Sequence, residues 1–173
     1  MTFPLPLFRN LVAYIDAFSE FTGRVVSWLT LLMMLVTCVV VALRYGLGVG
    51  SIALQESITY LHACVFLLGT AYTLKHNGHV RVDIFYRRFN RHQQAWINSL
   101  GSLLFLLPVC IFIVGISWGF VTRSWEIWEV SSDPGGLPAV FVLKTLLPLG
   151  AITLALQGLA ELLRNLLILI SDP

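Results

Sequence analysis

The segment His79-Val-Arg-Val-Asp83 sets three ionisable side chains at alternate positions in a chain of which only 12% is charged. In an extended segment residues i, i+2 and i+4 face one way, so His79, Arg81 and Asp83 form one polar edge and Val80 and Val82 the other. A histidine beside an aspartate could relay a proton. Nothing in the flanking sequence leads a proton path to it, and structural pinning with partner contact is the simpler use of these residues. Glu56, His62, Lys144 and Glu161 are further ionisable groups in or beside apolar runs. Such groups mark translocation paths when they lie inside a membrane. Glu56 and Lys144 stand near the same end of their runs with opposite charge. An unpaired ion beside hydrocarbon is costly, so the two are expected to interact directly or through water; separate snorkelling to the interface is the alternative.

Other chemistries find less support. A b-type cytochrome anchor needs paired haem-ligating histidines, but only His62 falls well inside an apolar run, where it reads as a polar contact within a helix bundle, while His76, His79 and His92 cluster elsewhere. A self-assembling exporter would use Glu56 as its exchanging carboxylate, yet that residue lies at a helix end. Cys38, Cys64 and Cys110 each sit mid-run without CxxC spacing, which indicates neither a disulfide framework nor a metal site. No catalytic, cofactor-binding or metal-ligating set emerges.

The elements that position these groups follow from composition. A hydrophobic fraction of 57% and a mean hydropathy of +0.83 leave too few charges for a soluble surface, and a net charge of +2 is too small for a nucleic-acid partner. The chain reads as a single all-α integral membrane domain over 1–173. Four runs are long enough for the roughly 20 residues that cross a bilayer: 24–46, 56–75, 95–122 and 138–160. The third exceeds that need, so it should tilt or project, and Pro108 is placed to kink it. The first lacks a cleavage site and is expected to be a retained anchor.

Ahead of it, Leu7, Leu11, Ile15, Phe18 and Thr22 keep a helical period with Arg9, Asp16 and Glu20 opposite, which predicts an amphipathic interfacial helix over 5–22, a disordered tail being the alternative. A basic interfacial segment over 83–93 follows the second span. There Asp83 is placed to cap a stretch whose Arg87, Arg88 and Arg91 can meet lipid headgroups. Lysine and arginine favour the N-terminal segment, the connection after the second span and the C-terminal tail, so both termini should be cytoplasmic. Gly115 and Gly119 form a GxxxG step suited to a close helix contact, within the chain or with a partner. Beyond the third span, Trp125 and Trp128 suit the membrane boundary, and Glu126, Glu129 and Asp133 make either an ordinary solvated loop or a candidate docking face for a partner outside the membrane.

Leu54 to Asp83, LQESITYLHACVFLLGTAYTLKHNGHVRVD, resembles the signature of the small membrane subunit of tripartite ATP-independent periplasmic (TRAP) transporters, the DctQ-like family. Glu56 opens the second helix; Leu68, Gly69 and Ala71 cross its inner half; His79, Arg81 and Asp83 follow a turn at Gly78. Gly136 to Gly158, with Pro138 and the Pro148-Leu-Gly150 step, resembles the family's fourth helix. The resemblance covers roughly Val25 to Leu163. It implies a noncatalytic small permease subunit of the bacterial inner membrane. Its partner is a large membrane subunit holding the substrate and sodium sites, and a periplasmic binding protein delivers an organic acid. No cofactor is implied for the small subunit, and the sodium gradient is used by the large one.

Overall fold

The computed structural model describes residues 5–80, 86 and 88–171. Its elements are α1 (Leu5–Gly46), α2 (Ile52–Lys75), α3 (Arg91–Gly101), a π-helical turn (Ser102–Leu106), α4 (Leu107–Glu126) and α5 (Val140–Ser171). The third apolar run is thus the composite α3–π–α4, and among the described residues four helical runs have the length and hydropathy to cross a membrane.

α1 joins what the sequence divides into a surface helix over 5–22 and a span over 24–46: it runs 42 residues without a break. Pro6 sits in the first turn, where a missing N–H costs nothing, and Gly23 lies under the Tyr72 ring of α2, which fills the space that a β-carbon would occupy. In the first half the polar face meets protein, where a helix lying flat would turn it to water. Asp16, Ser19 and Glu20 turn toward the bundle, while Leu11, Tyr14, Phe18 and Phe21 face out. In lipid the apolar face belongs outside, and polar groups seek protein partners.

Local chemistry fixes the helix ends. Ser51 caps α2, accepting from the Leu54 N–H at 3.4 Å. α2 closes in a Schellman motif, with Asn77 in the left-handed region (φ 52°) and the Gly78 N–H donating to the Thr73 carbonyl at 2.8 Å. The left-handed residue at this turn is therefore Asn77. Asn90 caps α3 through a reciprocal capping box with Gln93, so the basic helix begins at Arg91 under an Asn90 cap; Asp83, offered as a cap from sequence, lies outside the described residues.

Beside Pro108 the helix carries a π turn. The proline has no N–H for the Leu104 carbonyl and its ring crowds that position, and the chain responds with π geometry just upstream, the Leu107 N–H reaching the Ser102 carbonyl.

α5 is the hub, touching α1, α2, α3, the π turn and α4, while α1 and α4 share no extensive face. Its axis approaches α2 closely at Gly150, where a β-carbon would lie 2.9 Å from Leu67 Cβ and 3.0 Å from the Leu67 carbonyl oxygen. The accessible area of 11,524 Å² exceeds the ~8,500 Å² of a compact soluble protein of this mass. The bundle is open, with broad apolar faces turned outward.

Candidate functional site

Two polar clusters close the ends of the bundle. Glu56 and Lys75 mark them on α2, separated by about 28 Å at 1.5 Å per residue, close to the hydrocarbon thickness of a bilayer.

The first joins α1, α2 and α5. Lys75 Nζ donates to Glu20 Oε2 at 2.8 Å and to the Asp16 carbonyl oxygen at 3.0 Å, and His76 Nε2 meets the same Glu20 oxygen at 2.9 Å. Arg24 Nε adds a bond to Glu20 at 2.9 Å. Arg164 bridges Asp16 Oδ2, at 2.7 Å, and Glu161. Gln157, fully buried, donates to Asp16 Oδ1 at 3.0 Å and accepts from the Ser19 hydroxyl at 2.7 Å. Every charge here has an opposite partner, as low-dielectric surroundings demand. Beside it, a cavity of about 360 Å³ is lined by Tyr86, Asn98, Ser102, Glu161 and Asn165.

The second cluster holds the connection between α4 and α5. Glu56 accepts from the Leu137 N–H at 2.6 Å and from the Ser131 hydroxyl, and Gly136 lies so near its carboxylate that a β-carbon would collide. Lys144 pairs with Glu129 and lies 4.0 Å over the Phe120 ring. Lys144 holds the Glu129 carboxyl below the usual carboxylate range. α4 ends with Trp128 in the left-handed region (φ 47°), a strained position for a bulky residue. Edge contacts with Trp125 and Phe141 hold it there, and Trp125 Nε1 donates to Thr145 at 2.9 Å.

Glu56 and Lys144 form no direct ion pair. Both residues lie at the same end, but the folded connection comes between them and supplies each with a nearer partner. Gly115 and Gly119 are exposed with open space where a β-carbon would stand, so among the described residues no other helix packs closely on their step. Of the three docking acids, Glu126 and Asp133 are exposed, whereas Glu129 is engaged by Lys144. His79, Arg88 and Arg91 are exposed near the Lys75 end; Arg81, Asp83 and Arg87 lie outside the described residues. His62, expected inside the bundle, is exposed on α2 and stacks on Phe66. It is about 21 Å along α2 from His76, too far for one haem iron. Among the described residues no group of three metal-ligating side chains converges.

Sequence reasoning missed the first cluster as a unit. Its signal was present: Gln157, Glu161 and Arg164 at i, i+4 and i+7 on α5, and Asp16, Ser19 and Glu20 on one face of α1. Within an apolar chain such stripes face each other and not water.

The family of the DctQ component of tripartite ATP-independent periplasmic transporters matches residues 33–167. Comparisons with curated proteins and with solved structures find no match. The match spans well over half of the chain, which therefore belongs to this family: it is a multi-pass membrane protein, the small permease component of a TRAP transporter, and a noncatalytic one.

Proposed function

We propose that this subunit braces the large permease subunit in the bacterial inner membrane during ion-coupled uptake of an organic acid handed over by a periplasmic binding protein. The carrying observation is that the spans are tied internally at both ends by ion pairs and hydrogen bonds. Transporters that form their own midplane site use paired, interrupted helices; among the described residues the π turn interrupts the third span and has no counterpart in another. The larger apolar cavity, about 520 Å³ and lined by Leu107, Ile111, Gly115, Ile152 and Leu156, lacks the polar groups a carboxylate would need. The distribution of lysine and arginine supports placing the Lys75 end, with both termini, in the cytoplasm. Substrate and sodium then belong to the large subunit, whose family role is the basis for both.

Reconstitution tests this reading. Vesicles holding the chain together with its large subunit and binding protein should accumulate the organic acid on a sodium gradient, and vesicles holding the chain alone should not. Accumulation by the chain alone would overturn it.

A further inference from the structure

Gln55, Thr59, His62 and Phe66 occupy one outward stripe of α2 at i, i+4, i+7 and i+11, and all four are exposed. None of the three polar side chains makes a hydrogen bond within the described residues, His62 having only its ring contact with Phe66 at 6.2 Å between centroids. His62 lies about 9 Å along the axis from Glu56 and about 20 Å from Lys75, well within the apolar layer that those residues delimit. A hydrogen-bonding group facing hydrocarbon without a partner is costly.

The other outward faces differ at this depth. Thr30, Thr37 and Thr122 return their hydroxyl protons to carbonyls of their own helices. Their exposed neighbours on α1, α4 and α5 are chiefly apolar, among them Leu31, Leu35, Ile111, Phe112 and Ile152, with Cys38 and Trp118 only weakly polar. The α2 stripe thus stands out in chemistry: it presents an amide, a hydroxyl and an imidazole over three turns, with an aromatic ring below. That spacing matches the anchors by which one helix lies along another.

Resting on the small-subunit reading above, we infer that this stripe is the seat of a membrane helix of the large subunit, one that presents hydrogen-bonding side chains to Thr59 and His62. Interhelical hydrogen bonds of this kind hold membrane helices in register. The apolar faces of α1 and α4 are left to lipid.

Site-specific photocrosslinkers test it in the full chain co-expressed with the large subunit. Probes at Thr59, His62 and Phe66 should capture the large subunit, and probes at Leu35 on α1 and Phe112 on α4 should not. His62→Leu should lower the copurifying large subunit several-fold without reducing the yield or monodispersity of the chain alone, and His62→Gln should retain most of it. Crosslinks confined to the α1 or α4 probes, crosslinks from α2 to a second copy of this chain, or undiminished copurification with His62→Leu would overturn this inference and leave the small-subunit reading standing. Failure of the unmodified chain to bring down any large subunit would overturn both.

Discussion

Lys144 shows how residue chemistry decides a local structure. The sequence sets it near the same end as Glu56 with opposite charge, yet it binds Glu129, because the connection after α4 turns sharply at Trp128 and brings Glu129 back over α5. A charge swap follows: Glu129→Lys with Lys144→Glu should restore assembly lost in either single variant, and the corresponding swap of Glu56 and Lys144 should not. The pH dependence has a defined sign. The folded carboxyl of Glu129 is lowered by Lys144, so the stabilisation is complete above the ordinary carboxylate pKa of about 4.3 and is lost as pH falls through the lower folded value. Tryptophan emission from Trp125 and Trp128 should report that loss on acidification below about pH 4.3, and Glu129→Gln should abolish the transition.

At the scale of elements, the helices were legible from hydropathy and their mutual orientation was not. Apolar runs predicted four membrane-crossing helices, and four described helical runs are long and apolar enough to be them, since a bilayer imposes length directly. Amphipathic reasoning placed Leu11, Ile15 and Phe18 on the face of α1 that meets membrane; Leu11 and Phe18 do face outward, whereas Ile15 is buried in the bundle. It did not foresee that Asp16 and Glu20 would meet protein, because the spacing of polar residues tells which side of a helix they share and not what covers that side. Glycines divide in the same way. Gly150 sits on the Leu67 backbone and Gly115 on open space, although the sequence singled out only the latter as a packing step. Gly150→Ala should therefore destabilise the detergent-solubilised chain by about 1–3 kcal/mol, the usual cost of overpacking, seen as a lower thermal midpoint. Gly115→Ala should leave that midpoint unchanged or raise it, since alanine is the better helix former.

For the whole molecule, the two clusters work as separate fastenings. Gln157 and Lys144 are about 20 Å apart along α5, and the clusters share no side chain. Gln157→Leu leaves the Ser19 hydroxyl and one Asp16 oxygen short of a partner, a loss of about 1–3 kcal/mol. Hydrogen exchange should rise in α1 residues 15–26 and stay unchanged at Leu137. Combined with Glu129→Gln, the midpoint shifts should add, as distant and unlinked sites do. Membership in the DctQ family was readable from Leu54–Asp83 and Gly136–Gly158, where chain-local motifs carry it. The Asp16–Gln157–Arg164 network was not, because it joins residues more than 130 positions apart, and only the folded path of α5 brings them together.

The extra residue in the Ser102–Leu106 turn has a geometric consequence for the third span. Removing one residue there would restore ordinary α-helical winding and swing everything upstream about the axis by roughly 100°. Asn98 would leave the Tyr86 hydroxyl to which it now donates at 2.8 Å, and Ser99 would turn out of its buried position. One surplus peptide unit beside Pro108 thereby lets a single rod meet α5 in two angular phases, one at each leaflet.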